Sequence, residues 1–468
     1  MKDYRFLKPY FEKLSLNRKK WLKRNRYYHK ILLKHFRFII PQDSTVLEIG
    51  CGTGDLLHGL KPKVGYGIDF SEGMIAQAKS DFHNLNFQCI AAEEFKTNES
   101  FDFVVMSDLL CSLWDIQAVF KQLNTIMKTD TKMVISVYNY HWEPVLRLAE
   151  KLGLKAKQPL QNWLTVTDIQ KLLHLEGYEL IRLNKKMLFP KYITIVSYFF
   201  NSFLANLPLI NRLSLVSFIT ARKIPEKQKD YSVSIVVPAR NERGNIENAI
   251  KRTPQFGTFQ EFIFIEGNSS DSTYDEMIRV QQAYPEKQIV VTKQSGKGKG
   301  NAVREAFDIA KGDILMILDA DLTMPPEDLL KFYDAIKSGK GEFINGCRLV
   351  YPMEKEAMRF LNYLGNKFFS WFFSFLLDQQ LKDTLCGTKV LFKHHYKQIE
   401  KNRSYFGDFD PFGDFDLLFG AAKLNLKITE VIVRYRDREY GTTQISRFRH
   451  GWLLIKMSIF AARKIKFI

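Results

Sequence analysis

Short apolar runs that end in glycine or polar residues, each followed by a helical pattern, recur along this chain and fix its class. Residues 44–139 contain "STVLEIG", "VGYGIDF", "NFQCIAA", "FDFVVMSD" and "KMVISVYN". Runs of this length bounded by turn residues read as buried parallel strands. Asp55, Ser71 and Asp115 stand where the intervening helices begin, and such side chains accept from the free N–H groups of a first turn. Two later runs, "GYELIRLNKKML" and "RLSLVSFITARK", read as further strands, and the polar, proline-containing "KIPEKQKD" (223–230) reads as a linker. A second series opens at Ser232 with "SVSIVVPARNE", "FQEFIFIEGNSSD", "KQIVVTKQ" and "DILMILDAD". The expectation is an α/β protein of two domains: a basic helical arm over 1–40, a Rossmann-like doubly wound sheet over 41–222, a linker over 223–231 and a second sheet over 232–468. Ligands of open α/β sheets bind outside the carboxyl ends of strands, where both series place their polar residues.

Charge is unevenly spread. Of the net +18, residues 1–40 hold +11 (thirteen Lys/Arg, two acids) and residues 434–468 hold +7 (nine Lys/Arg, two acids). Basic ends on a neutral body suggest an anionic surface or a phosphate-bearing partner. No zinc finger, ribonucleoprotein motif or basic zipper supports nucleic acid as that partner. Five scattered cysteines without a CxxC pair suit a reducing, cytoplasmic setting and argue against a disulfide frame. The first thirty residues have no apolar core of signal-peptide length.

"VLEIGCGTGDLL" puts Gly50, Gly52 and Gly54 between a strand and a helix, where glycine lets a ligand approach the backbone. The GxGxG spacing differs from the GxGxxG of NAD-type turns. Asp69 closes the next strand, where a carboxylate can take both hydroxyls of a ribose. The order Glu48, glycine turn, Asp69 and then Glu93 resembles class I S-adenosylmethionine-dependent methyltransferases over roughly residues 30–222. The resemblance implies that Gly50, Gly52 and Gly54 pass the methionine part and that Asp69 binds the ribose. It further implies that Ala92 and Glu93 flank the adenine and that Asp108 ends the fourth strand beside the site. The methyl acceptor is not legible, since "SDLLCSLWD" carries no proline-aromatic motif of amide-nitrogen methylation.

"ILDADLTMPPEDL" ends a strand in Asp319 and Asp321. Two carboxylates at i and i+2 can turn toward one divalent cation, and hard oxygens suit Mg²⁺ or Mn²⁺ holding phosphate. With "SIVVPARNERGNI", "IFIEGNSSDST" and "SGKGKGNAVREAF", this resembles family 2 glycosyltransferases, and within them the dolichyl- or polyprenyl-phosphate sugar synthases, over about residues 232–450. The resemblance implies a GT-A-type nucleotide-sugar domain. Pro238, Ala239 and Glu242 would line the nucleoside, Glu266 and Asp271 the base and ribose, and Lys297 and Lys299 the phosphates. Asp319 and Asp321 would hold metal and diphosphate, with Asp321 in the catalytic set. Glu266-Gly267 departs from the two aspartates of many relatives, so the nucleobase stays open. "DTLCGTKVLF" resembles the acceptor loop, with Asp383, Cys386, Gly387 and Lys389. Asp414 and Asp416 open a helix of the last third, Asp416 as acceptor-positioning group or base. Of the late arginines, Arg436 and Arg447 are candidates for the donor diphosphate or a lipid phosphate.

Two stretches bear on membranes. "YITIVSYFFNSFLANLPLIN" (192–211) has no charge, but lies between two strands expected in one sheet, so an interfacial insert is expected rather than a span. "RFRHGWLLIKMSIFAARKIKFI" reads as a basic amphipathic helix for an anionic lipid surface. The joint expectation is a peripheral enzyme on the cytoplasmic face of the membrane. It would transfer a sugar from UDP- or GDP-sugar to a polyprenyl phosphate and methylate with S-adenosylmethionine. The alternatives are a saccharide hydroxyl acceptor in surface polysaccharide synthesis, and a methyltransferase half that modifies the glycan or serves only to dock.

Overall fold

The structure, a computed structural model, describes residues 4–159, 161–225, 229–350, 360–403, 414–438, 440–441 and 455–466. The chain divides into two compact units, Met1–Ile224 and Pro225–Lys466. Each holds a mixed seven-stranded sheet flanked by helices.

In the first unit the strands are β1 (Thr45–Ile49), β2 (Val64–Asp69), β3 (Asn86–Cys89), β4 (Phe103–Ser107), β5 (Lys132–Tyr138), β6 (Tyr178–Lys186) and β7 (Val216–Lys223). Their order is β3-β2-β1-β4-β5-β7-β6. The first five run parallel, and β7 lies antiparallel between β5 and β6. Ser71 and Asp115 cap helices as expected, accepting from Met74 N–H at 3.3 Å and Ala118 N–H at 2.9 Å. Asp55 is instead the first helical residue, because left-handed Gly54 (φ 78°) takes the cap position.

The amino-terminal arm is part of this unit. Its helix Arg26–Ile39 buries Tyr28, Leu32, Phe36 and Ile39, a stripe at helical spacing. The stripe packs with Val46, Leu57 and Ile75, and each fully buried side chain of this size contributes about 1.5–3 kcal/mol. The long connection from β6 to β7 returns to the same sheet, which rules out a single crossing. Among the described residues no helix is long and apolar enough to cross a membrane.

The second unit contains β8 (Val233–Ala239), β9 (Gln260–Glu266), β10 (Gln288–Lys293), β11 (Ile314–Ile317), β12 (Phe343–Cys347), β13 (Lys389–Phe392) and β14 (Ile428–Ile432), in the order β10-β9-β8-β11-β13-β12-β14. Only β13 is antiparallel to its neighbours. Arg348, just after β12, grips Asp383 in the loop before β13, with Nε to Oδ2 at 2.7 Å and Nη2 to Oδ1 at 2.9 Å. The Arg348 and Leu385 N–H groups also donate to this carboxylate. Asp383 is fully buried, so it is a structural clamp within the segment expected to be the acceptor loop. Burial opposes its charge, yet Arg348 and these donors hold it below the ordinary carboxylate range.

The carboxy-terminal stretch is described in part. Over 455–466 it buries Met457, Ala461, Ala462 and Ile465, and Lys466 is buried in an ion pair with Asp378. One side of this stretch therefore packs, while Ile455, Lys456, Ile459 and Arg463 are exposed on it; Arg449, Trp452 and Leu453 lie outside the described residues. Asp383→Ala should leave Arg348 an uncompensated buried charge and lower the stability of the second unit by about 3–5 kcal/mol, read as a lower urea midpoint of its unfolding transition.

Candidate active sites

In the first unit, the turn after β1 has Gly50, Gly52 and Gly54 at φ of 68°, 52° and 78°, a region that disfavours side chains. Two of them are also packed: a Cβ on Gly50 would lie 2.6 Å from Leu109 and one on Gly54 2.7 Å from Phe87. Gly52 differs, since the nearest atoms to its Cβ position are Arg18 Nε and Met74 Sδ at 4.0 Å. The open side of the turn is therefore at Gly52, and Arg18 borders it.

Three carboxylates surround the turn. Asp69 accepts from Gly52 N–H and Ser71 N–H, both at 2.9 Å. Asp108 accepts from Tyr28 Oη at 2.6 Å and Ser136 Oγ at 2.8 Å, and holds a left-handed backbone (φ 53°). Glu48 is buried, with Oε2 lacking any hydrogen-bond partner. Burial pushes all three above the ordinary carboxylate range, and Arg18 opposes the shift in each. Ala92 and Glu93 follow β3, which pairs with β2 up to Asp69↔Cys89, so they share this sheet end. Burial raises Glu93 too.

The arm supplies what sequence reasoning missed. Glu12 accepts from Glu72 N–H at 2.8 Å and Gly73 N–H at 2.9 Å, capping the helix Glu72–Asp81. Lys8 pairs with Glu72 and Lys19 with Asp81, both at 2.8 Å. The stripe Tyr28, Leu32, Phe36 was the available signal that the arm packs; nothing in the sequence pointed to Arg18.

In the second unit the candidates gather where β8, β9 and β11 end. Ala239 faces Glu266 and Pro238 faces Ile265 in the β8–β9 register. Asp271 Oδ1 accepts from Thr273 N–H at 3.1 Å, and Thr273 Oγ1 accepts from Glu242 N–H at 3.0 Å. Asn241, Asn268 and Leu322 have φ of 57°, 58° and 51°, backbone strain of the kind that gathers at functional sites.

Each of the two adjacent aspartates has its own cation. Lys299 Nζ lies 2.5 Å from Asp319 Oδ1. Arg438 Nη2 lies 2.7 Å from Asp321 Oδ2, and its Nη1 lies 3.1 Å from Glu242 Oε1. Burial pushes Asp319 up, but Lys299, with Lys389 and Arg348 behind it, holds it below the ordinary range. Burial raises Glu242 to about 7 against Arg438 and Asn245. Gly387 packs on this pair: a Cβ there would lie 1.9 Å from Asp319 Oδ2 and 2.5 Å from Lys299 Nζ.

Other candidates stand differently. Arg436 is exposed and donates its backbone N–H to Thr323 O at 2.9 Å; Arg438, not Arg436, brings a guanidinium to the carboxylates. Lys297 is exposed on its loop. Asp416 accepts from Arg403 Nε at 3.1 Å and lies 4.0 Å from Arg304 Nη1, an ion-paired group on the helix Asp414–Lys423. Arg447 and the side chain of Asp414 lie outside the described residues.

The chain joins two α/β domains, each with a mixed seven-stranded sheet and polar groups at its strand ends. Residues 21–183 match the family described as "Methyltransferase domain", and residues 234–398 match "Glycosyl transferase family 2". The chain thus carries a methyltransferase domain followed by a family 2 glycosyl transferase domain. Its second half is 32% identical over 174 residues to a dolichol-phosphate mannosyltransferase of Pyrococcus furiosus, covering 36% of this chain and 49% of that one. It is 29% identical over 225 residues to the glycosyltransferase AglJ of Haloferax volcanii (48% and 69%). It is 26% identical over 280 residues to a dolichyl-phosphate beta-glucosyltransferase of Mus musculus (48% and 82%). The chain spans about half the length of the first of these relatives. Among solved structures, magnesium protoporphyrin IX methyltransferase of Synechocystis aligns at TM-score 0.35 and 16% identity, covering 47% of this chain and all of that one. An S-adenosylmethionine-dependent methyltransferase of Mesorhizobium loti aligns at 0.32 and 17% (42% and 98%).

Gly387→Ala should displace Asp319 or Lys299 and destabilise the second unit by about 1–3 kcal/mol, measured by thermal unfolding. Glu242 titrates near 7 when folded against an ordinary 4.5, so between these values the folded state keeps a proton that the unfolded chain has lost. Stability contributed by this proton is present below about 4.5 and lost as pH rises through about 7. Glu242→Gln should flatten the fall in stability over that window relative to the unaltered protein.

Proposed function

We propose that the second domain (232–468) transfers a hexosyl group from a UDP- or GDP-sugar, with inversion, to a polyprenyl or dolichyl phosphate. The first domain (41–222, with its arm) would methylate from S-adenosylmethionine. One observation carries the reading of the second domain: Asp319, Asp321 and Glu242 meet Lys299 and Arg438 at the carboxyl ends of parallel strands. Paired hard carboxylates fit Mg²⁺ or Mn²⁺, and a lysine and an arginine beside them fit the diphosphate that such an ion bridges. When bound, the ion would offset charge developing on the departing nucleoside diphosphate. Pro238, Ala239, Glu266 and Asp271 would hold the nucleoside. A phosphate acceptor is already ionised and needs no strong base, which suits an Asp416 engaged by Arg403 and Arg304. The relatives' names supply the lipid-phosphate class of acceptor. Five free cysteines support a reducing, cytoplasmic setting.

For the first domain, the orphaned Glu48 Oε2 and the open side of Gly52 fit a cofactor that carries an ammonium and a carboxylate. Asp69 would take the ribose, and Ala92 and Glu93 the adenine. Arg18, beside the open side of Gly52, would take the carboxylate of the methionine part.

With polyprenyl phosphate, Mg²⁺ or Mn²⁺ and a panel of labelled nucleotide sugars, label should enter the organic phase. Asp321→Asn should cut the rate by about a hundredfold or more. Consumption of nucleotide sugar with label only in the aqueous phase would overturn the lipid acceptor in favour of a saccharide hydroxyl. Calorimetry should show Arg18→Ala binding S-adenosylhomocysteine about 10–100-fold more weakly. Binding of methylthioadenosine, which lacks the amino-acid part, should be unchanged.

A further inference from the structure

The connection between β6 and β7 is built inside out. Its polar side chains point inward. Asn201 Oδ1 accepts from Leu188 N–H at 2.8 Å and Phe189 N–H at 2.9 Å, and its Nδ2 donates to Phe189 O at 2.7 Å. Asn206 is wholly buried and takes Lys186 Nζ. Ser197 Oγ accepts from Ile193 N–H at 2.6 Å and donates to Lys191 O at 2.8 Å. These bonds fix the fold of the insert without an apolar core of its own.

Most of its large apolar side chains point outward, with Met187 and Leu215 buried at its two ends. Ile195 is 81% exposed, Leu209 75%, Tyr198 72%, Tyr192 65% and Leu213 62%. A water-facing loop of a globular domain has the opposite pattern, and this many exposed large apolar side chains in one short insert mark an interaction surface. The short helical pieces Thr194–Tyr198 and Ile210–Leu213 are far below a membrane span.

The patch adjoins a strongly basic helix. The Tyr27 and Tyr192 rings are 5.5 Å apart, Asn201 Nδ2 donates to Tyr27 Oη at 3.1 Å, and Lys191 Nζ donates to Asn25 Oδ1 at 3.1 Å. Asn25 and Tyr27 directly follow the helix Arg18–Arg24, which reads RKKWLKR and buries no residue. Residues 13–42 contain ten Lys/Arg and no acid.

We propose that the insert 187–215 and the helix Arg18–Arg24 together form the face by which the methyltransferase domain docks on an anionic lipid bilayer. Apolar and aromatic side chains enter the headgroup boundary while lysine and arginine contact anionic headgroups. A second copy of the chain fits this face poorly, because a two-fold contact would set two basic helices against each other. An ordinary soluble partner would need both an acidic and an apolar face, whereas a bilayer supplies both over any area. The proposal goes beyond the transfer reactions and does not depend on them, since vesicle binding is read without turnover.

Flotation of the full chain with vesicles rich in phosphatidylglycerol should recover it with the lipid, with little recovery on phosphatidylcholine alone and loss at high salt. Combined Lys20→Gln, Lys23→Gln and Arg24→Gln should lower partitioning on the order of a hundredfold, at roughly fivefold per charge. Ile195→Ser with Tyr198→Ser should lower it by about tenfold or more. Both variants alter exposed residues, so thermal unfolding should be unchanged. Equal recovery on neutral vesicles, no recovery of the unaltered protein on either kind, or binding indifferent to both variants would overturn the proposal.

Discussion

Two carboxylates one residue apart at the lip of a parallel sheet repel each other, and the architecture around β11 follows from how that repulsion is met. Like charges brought close together near a protein surface repel by an amount that matters to a fold of marginal stability. Here each aspartate is matched by a cation from elsewhere in the sequence. Lys299 opens the preceding helix, and Arg438 arrives 117 residues after Asp321. Arg438 also reaches Glu242 beyond β8, so one guanidinium joins loops that follow two different strands. The approach of Asp319 to the backbone at Gly387 leaves no room for a side chain there. The site thus assembles only with the complete sheet, because its charges are neutralised by long-range partners. Groups already arranged around opposed charge need little reorganisation to receive a charged ligand, a condition for strong electrostatic stabilisation.

The methyltransferase domain meets a related problem by other means. Glu48, Asp69 and Asp108 are raised by burial, and they are steadied by backbone N–H groups and hydroxyls more than by cations. Only Arg18 opposes the shift in all three, and it comes from the arm. A pocket of carboxylates with one bordering arginine suits a ligand with cationic centres and one carboxylate, which is the charge pattern of the proposed cofactor. The orphaned oxygen of Glu48 makes the same point, since buried polar atoms of native proteins are nearly always partnered.

Much of this was legible in the sequence. Strands of both sheets announced themselves as apolar runs, and the glycine turn and the paired aspartates fell at strand ends because local spacing dictates that. What was not legible was tertiary. Arg436 and Arg438 stand two residues apart in "RYRDREYG", and nothing local says which one turns toward Asp321. Asp383 and Gly387 share one loop, yet one is a buried clamp on Arg348 and the other makes room for Asp319. The arm read as a partner-facing basic segment because residues 1–40 hold thirteen Lys/Arg against two acids. Its packing stripe lies further on, at Tyr28, Leu32 and Phe36. In the last stretch Lys456 and Arg463 are exposed as their spacing suggested, whereas the burial of Lys466 against Asp378 depends on a residue 88 positions away and had no local signal.

The helix Arg18–Arg24 joins the two aspects of the methyltransferase domain. Helical spacing puts Lys20, Lys23 and Arg24 on one side and Arg18 on another. The three are exposed, whereas Arg18 borders the open side of Gly52. Glu12 and the Lys19–Asp81 pair tie the same stretch to the helix that follows Asp69. The proposed docking face and the cofactor turn therefore share one helix. Were docking to raise the affinity for a ligand at Arg18, that ligand would favour docking by the same factor. Seven residues of one helix thus carry both the exposed cations of the proposed docking face and the guanidinium beside the cofactor turn.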